Sequence, residues 1–249
     1  MGVSSAAVLR RYSRGFLGLQ VRFASLLAER LGLPLCGCLG RFTTLPTALG
    51  LDDAARAEEF GARLAREDPL DVAWDIYSRR HPQEWEELGE EFHGHRLFGC
   101  FYYEVRGGGV VRPHLVKNLS PGERLLGRGT EDLRRAELAS LFRDVRESAP
   151  QARTVQGNSW LYNVEAYRRL FPPAYTRKME ESAEGEFNYL ALWGQLFDRD
   201  WEPRPGPAAA LLAAAERVED EKDVLGCFPL RVLRPRCGVE EFFRFYGIG

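Results

Sequence analysis

Apolar residues recur along this chain with two periods, near 3.6 and near 2, and the way the periods alternate predicts helices and strands in one chain. Val8, Tyr12, Phe16, Leu19, Phe23, Leu26 and Leu27 form one helical stripe, which Gly32 and Pro34 end. The stripe either covers the core or packs against a second copy of the chain in a homodimer. Residues 33–51 read as a loop holding Pro46 and Gly50, with room for a short strand. Asp52 or Asp53 caps a second helix reaching Arg66, with Phe60 and Leu64 on its buried side. Asp68-Pro69 interrupts the pattern, and residues 70–78 form a third helix with Val72 and Ile76 inward. Residues 83–91 carry five glutamates and read as a solvated helix face.

Residues 97–105 are a dense strand run, Gly107-Gly108-Gly109 is a turn, and residues 110–116 return: a hairpin. Centred on Gly108, it places His114 opposite a position near Tyr102. Next comes a glycine-bearing turn, Arg124 to Gly129. Thr130 is the expected N-cap of the helix that follows, with Glu131 and Asp132 in the first turn. Leu133, Ala136/Glu137, Leu138, Leu141, Phe142 and Val145 recur at helical spacing and mark its inner side, and Pro150 stops it. Residues 152–160 read as a strand and 164–170 as a short helix ended by Pro172-Pro173. Strand, turn, helix, strand implies a parallel crossover. The apolar run 187–197 fits a strand or a helix, with the strand favoured; Pro203, Pro205 and Pro207 read as a loop, 208–218 as a helix, 228–233 as a strand and 240–246 as a docked aromatic helix. The predicted class is α+β (mixed α/β): a central, mostly antiparallel sheet with a β-hairpin and one parallel crossover, flanked by helices, plus an N-terminal helix. No linker or repeat is visible. The expectation is a single domain over residues 1–249: an N-terminal helix and loop (1–50), a core (52–197), and a C-terminal helix, strand and aromatic tail (198–249).

Composition narrows the function classes. At 249 residues with 45% hydrophobic and 12% aromatic content, the chain can bury a sizeable core. A formal net charge of -2 argues against nucleic acid or an anionic membrane as partner. No run of 18 apolar residues exists, so no transmembrane helix is expected. Residues 1–28 hold Arg10, Arg11, Arg14 and Arg22 and no acid, as a transit peptide would. The apolar spacing runs straight on to Leu31, which favours a helix of the folded chain. Five cysteines, an odd number in a chain that is not small, point to free thiols in a reducing compartment and a cytoplasmic location.

Few motifs carry chemistry. His93 and His95 share a strand face with Glu90 and Glu91 nearby, but the hairpin register leaves His114 away from them, so no metal is expected. Walker, Rossmann and G-x-S-x-G patterns are absent. Ser159-Trp160-Leu161-Tyr162-Asn163 reads as a pocket wall or as plain core. The remaining signal is Arg124, Gly127 and Gly129 running into the Thr130 helix. Together with the order of elements over residues 52–197, it resembles the GNAT-type acyl-CoA N-acyltransferases.

In that superfamily a strand enters an R/Q-x-x-G-x-G/A turn whose amides and helix N-terminus hold the coenzyme A pyrophosphate. The chemistry is sound, because open N–H groups and a helix dipole suit a dianion. The resemblance implies that Arg124, Gly127, Arg128, Gly129 and Thr130 bind acyl-CoA as co-substrate. It implies that Tyr167, in the segment from Asn163, protonates the leaving thiolate, and that Glu104 or His114 takes the proton from the amine. The acceptor would be a small-molecule or protein amine. The family's glycine-phenylalanine after the tyrosine is replaced here by Leu170-Phe171-Pro172. A non-catalytic α/β binding or accessory protein is the alternative. The resemblance requires the strands near 110–118 and 153–160 to lie side by side, parallel and splayed, with Gly127 and Gly129 at the mouth.

Overall fold

The computed structural model describes residues 6–9, 12–81, 85–88, 91–92, 94–116, 124–127, 129–182, 186–198 and 200–249. The sequence reading takes the chain as one domain; by its contacts it divides into two compact units, neither of them continuous in sequence. One comprises Leu9–Glu84 and Ala183–Arg231, the other Met1–Val8, Trp85–Ser182 and Val232–Gly249.

The first unit is helical. Helix α1 (Arg14–Leu31) buries Phe16, Phe23 and Leu27. The Ser13 hydroxyl accepts from the Phe16 N–H, and Gly32 ends the helix at φ 65° with its N–H bonded to the Ala28 carbonyl. The helix thus begins after Val8, which the stripe had included. The expected loop at 33–51 is instead two helices, α2 (Leu35–Phe42) and α3 (Leu45–Leu49). Cys38, Leu39 and Phe42 are buried at helical spacing, and Pro34 and Pro46 sit at helix starts rather than as breakers. Helix α4 (Ala54–Leu64) is capped by Asp53 and buries Phe60. Asp68 caps α5 (Pro69–Arg80), so Asp68-Pro69 opens that helix, which buries Val72 and Ile76.

The expected strand at 187–197 is also a correction. It holds α9 (Leu190–Trp193) and a 3-10 turn, Gly194–Leu196, with Leu192, Trp193 and Leu196 fully buried. The buried Gln195 amide supplies the pairing that a strand partner would have given. It donates to the Leu192 and Leu230 carbonyls at 2.9 and 3.0 Å and accepts from the Leu230 N–H at 2.8 Å. Helix α10 (Pro205–Ala215) again begins on a proline.

The second unit is built on a sheet. Two short pairs, β1 (Ala6–Leu9) with β2 (Trp85–Leu88) and β3 (Glu91–Phe92) with β4 (His95–Arg96), precede it. The glutamate-rich stretch expected as a helix is therefore extended at 85–88. The main sheet has the order β5-β6-β7-β9-β8, from β5 (Phe101–Arg106), β6 (Val110–Leu115), β7 (Thr154–Gln156), β8 (Met179–Glu181) and β9 (Leu233–Gly238). Every neighbouring pair is antiparallel except β6 with β7. The architecture is the mixed α/β one expected, with a hairpin and one parallel crossover. Its register places Tyr102 opposite His114, as the glycine turn required. Strand β7 is shorter than expected, because the chain turns at Trp160–Asn163 into a 3-10 helix. Strand β9 lies beyond the expected 228–233, and β8 was missed in a polar stretch.

Helix α6 (Glu131–Ser148) crosses between the parallel strands and covers one face of the sheet. Short helices α7 (Glu165–Arg168) and α8 (Pro173–Thr176) follow β7. Helix α11 (Val239–Phe245) docks as expected, with the Phe242 ring 4.3 Å from that of Phe142. Phe101, Val111, Leu138, Phe142, Val155 and Phe242 are fully buried in this core. Residues alternate strictly: Val111, Val155 and Cys237 face α6, while Arg112, Gln156 and Arg236 face the other way.

Gly109 anchors the parallel pair. Its φ is 71°, and a Cβ there would lie 2.3 Å from the Gln151 carbonyl oxygen. Its own carbonyl accepts from the Arg153 and Thr154 N–H groups at 2.8 and 3.2 Å. Gly109→Ala should destabilise by about 1–3 kcal/mol through strained backbone and a backbone clash. Gly107→Ala, with open space and no positive φ, should stay within about 0.5 kcal/mol of wild type. Urea denaturation of both variants checks this.

Candidate functional site

The site begins where the parallel strands separate. Strands β6 and β7 pair only as Val110 with Thr154 and Val111 with Val155. Val116 donates to the Cys100 carbonyl, on the β5 side. Alternate residues of a strand point their N–H groups the same way, so residues 111, 113 and 115 point theirs towards β7. The next donor in the row after Val111 is therefore position 113, and it is a proline. Pro113 has no N–H, and the ladder stops there. On its other edge β7 is paired with β9 throughout, and that pairing runs on past the parallel ladder, with the Gly157 N–H donating to the Pro235 carbonyl at 3.1 Å and Ser159 bridging Leu233. Among the described residues no further backbone pairing joins β6 to β7; this unpaired gap, the notch, lies at the carboxyl end of β6, the end at which open sheets bind ligands.

That same end leads to the glycine turn and α6. Arg124 and Gly129 are exposed and Gly127 is half-buried; Arg128 lies outside the described residues. Neither described glycine has a positive φ. A Cβ on Gly129 would meet nothing within 4 Å, and one on Gly127 only the Arg124 Cδ at 3.9 Å. Neither backbone conformation nor packing demands glycine here. Thr130 stands at the N-cap, but its hydroxyl donates to the Gly127 carbonyl at 3.3 Å and does not cap a helix N–H. The α6 amides are thus left for other partners. Among the acids expected in the first turn, Glu131 is paired with Arg135 and Arg169 at 3.1 and 3.3 Å.

A buried ion pair positions the turn, and the sequence reading missed it. Leu133 was assigned to the inner side of α6 but is 50% exposed, while Arg134 is 1% exposed. Arg134 reaches back to donate to the Leu125 carbonyl at 3.2 Å and to Glu137 at 2.5 Å. Glu137 also accepts from the Cys100 N–H at 3.2 Å, and it fills the space where a side chain on Gly99 would stand. The hairpin base, the helix and the turn are therefore tied through two side chains one helical turn apart. The pair Arg134 and Glu137, at i and i+3 beside leucines, was the available signal.

Glu104 and His114 lie on the face away from α6. The structure brings them together: His114 Nε2 is 3.6 Å from Glu104 Oε2, a charge contact longer than a hydrogen bond. Arg106 donates to the same Glu104 oxygen at 3.2 and 3.0 Å. Burial pushes the Glu104 carboxyl up, but the Arg106 bond and the neighbouring His114 and Arg106 charges outweigh it and hold it below the usual range. Burial chiefly, with Arg112 and Arg106, holds the His114 imidazole below its usual value against the pull of Glu104. Tyr102 stacks on His114, rings 4.6 Å apart and 8° from parallel, and His95 stacks on Tyr102 from the other side at 5.2 Å. His93 lies outside the described residues, and no cluster of three metal-ligating side chains occurs among those described.

Tyr167 is not brought to this pair. It is 3% exposed in the core on the α6 side, packed on Tyr162 and Phe171 at 5.1 and 4.9 Å. Burial raises its hydroxyl well above 10, which makes it a poor proton donor. The Tyr162 and Tyr175 hydroxyls meet at 3.1 Å beside Gly157, filling its side-chain space. In the segment from Ser159 to Asn163 only Tyr162 is buried; Ser159 caps the 3-10 turn and the Asn163 amide donates to the Trp160 carbonyl.

Pro113→Val tests the cause of the notch. The variant supplies one ladder hydrogen bond, about 0.5–1.5 kcal/mol, and loses the entropic advantage of proline, about 0.4–1 kcal/mol. Net stability should stay within about 1 kcal/mol of wild type. Hydrogen exchange should find the new amide at 113 protected, and any ligand that enters the notch should bind more weakly. An unprotected amide would show that proline is not what parts the strands. In comparisons with known proteins, no protein-family model matches the chain, and neither a curated protein nor a solved structure does.

Proposed function

We propose that the chain is an acyl-CoA-dependent N-acyltransferase, acting on an amine that approaches from the sheet face bearing Glu104 and His114. The observation that carries the reading is the parting of β6 and β7 at the end that leads into the open Arg124–Thr130 turn. An extended, amide-bearing thioester can lie between two strands whose facing backbone groups are not paired with each other. Its pyrophosphate would meet the Gly127 and Gly129 amides and the N-terminus of the 18-residue helix α6. Arg124 adds charge at an exposed position. No helix among the described residues is long and apolar enough to cross a membrane.

The chain's own part in the reaction is proton acceptance. A neutral His114 can take the proton that the attacking amine releases, and ionised Glu104 beside it favours the imidazolium that results. Coenzyme A leaves as a thiolate, whose ordinary basicity needs no protein acid near neutral pH. Tyr167 therefore has no role in the transfer: its hydroxyl is enclosed and, being buried, a weaker acid than usual.

Calorimetric titration with acetyl-CoA is the first test, and no binding at millimolar ligand sinks the reading. Gly129→Val should abolish that binding while changing stability by less than about 0.5 kcal/mol, because neither conformation nor packing needs the glycine. Arg124→Ala should weaken binding and make it less sensitive to salt. A stable Gly129→Val protein with unchanged affinity removes the phosphate site.

The pH dependence follows from His114. Its folded pKa lies below the ordinary 6.5, so the unfolded chain protonates first as pH falls. The stability carried by the neutral ring is present above about pH 6.5 and is lost as pH falls below it. The acyl-transfer rate should show an acid limb whose midpoint is below 6.5. His114→Gln should remove the limb and slow transfer by about 10²–10⁴-fold. A limb that survives in the variant assigns the base elsewhere.

A further inference from the structure

We infer that the amine acceptor carries a carboxylate, recognised by Arg112 and Arg236 on the two banks of the notch. The inference rests on the acyltransferase reading and adds the class of acceptor to it.

The two faces of the sheet divide the work. Helix α6 and the glycine turn belong to the inner face, while Glu104 and His114 project from the outer one. An amine that loses its proton to His114 must reach the notch from the outer face. The side chains of that face therefore choose the acceptor.

The register lays those side chains in rows. Glu104 is opposite Arg112 on one bank. Gln156 is opposite Arg236 on the other. One residue after the last parallel pair, Val111 with Val155, Arg112 and Gln156 face each other across the opening notch. Arg236 is exposed and Arg112 half-buried. Arg234, two residues along β9, projects from the same face. Among the described residues that the strands of this sheet place on its outer face, Arg106, Arg112, Arg234 and Arg236 oppose only Glu104 and Glu180. The chain as a whole is net negative, so positive charge is concentrated where the acceptor enters.

Guanidinium groups select planar, bidentate anions, and a carboxylate fits that fork. Arg112 is two residues from His114 on the same strand, about 7 Å along it. Arg236 is two strands across from Arg112, about 10 Å, and so about 12 Å from His114. Long flexible arginine side chains span such gaps, so the carboxylate is held a few bonds from the amine. A row of Arg112, Gln156 and Arg236 supplies donors along its length, while Glu104 stays bonded to Arg106 beside His114. A cationic diamine would meet four arginines against two glutamates, one of them already bonded to Arg106, and be disfavoured.

The experiment measures acetyl transfer from acetyl-CoA, read as free thiol, to matched acceptors: L-phenylalanine against phenethylamine, L-lysine against cadaverine, and L-leucine against isoamylamine. The wild type should prefer the carboxylate-bearing member by about tenfold or more in kcat/KM, the size of one or two charge-assisted hydrogen bonds. In Arg236→Gln, and separately in Arg112→Gln, that preference should fall by about tenfold, mainly through KM. The calorimetric affinity for acetyl-CoA reports on the turn and separates the two ideas. Binding of acetyl-CoA with equal use of each pair overturns the carboxylate and leaves the acyltransferase standing, as does a preference that survives in both variants. A stronger preference for phosphoethanolamine over ethanolamine than for any amino acid over its amine overturns it as well. Failure to bind acetyl-CoA, with no transfer to any acceptor, overturns the reading on which it rests.

Discussion

One missing hydrogen shapes the sheet half of this protein. The parallel pair β6 and β7 is clamped at Gly109, whose carbonyl takes two N–H groups from the start of β7. Two residue pairs later the ladder needs a donor at position 113 and finds proline. Strand β7 keeps its other edge paired with β9 through Gln156, one residue beyond its last pair with β6, so it stays held on the β9 side where it is released on the β6 side. The outcome is a sheet closed at one end and open at the other. The opening falls at the carboxyl end of a strand, where a crossover helix also begins.

The opening would have little use if the turn above it were loose. Arg134 and Glu137 prevent that by joining the Leu125 carbonyl, the helix and the Cys100 N–H. Burying such a pair is not in itself stabilising, because desolvation offsets most of the attraction. Breaking it costs far more, about 3–5 kcal/mol, since it strands a charge in the core. The pair therefore acts as a lock on geometry. It fixes the distance from hairpin to turn, and with it the width of any site that the two share.

The helical unit draws one of its two segments from within the sheet. Residues 183–231 leave after β8 and return before β9, two strands that pair directly. Ser182 and Val232 are joined by a backbone hydrogen bond of 2.9 Å. A segment whose ends are held this close can be long at small entropic cost, because closure entropy grows only with the logarithm of length.

What the sequence determined by itself is local. The hairpin and its Tyr102–His114 register follow from one glycine turn and strict alternation. The stripe of α1, the Asp53 cap and the docking of Phe242 follow from periodicity and side chains that act on their own neighbours. Prolines hid α2, α3 and the starts of α5 and α10, while the helix within 187–197 and the extended glutamate run have other causes. Pro34, Pro46, Pro69 and Pro205 open helices, where a missing N–H costs nothing, and pattern alone cannot tell an opening from a break. The candidate turn was legible as Arg124, Gly127 and Gly129, and Glu104 with His114 as hairpin residues. That Glu104 and His114 touch, that Tyr167 is enclosed by Tyr162 and Phe171, and that Arg134 rather than Leu133 faces inward were decided by tertiary packing. Each depends on which remote surface arrives against a helix or strand, and a remote surface leaves no period in the local sequence. Pro113 stands between the two cases. It is visible to anyone reading the chain, but it means something only once β7, forty residues on, is known to lie beside it.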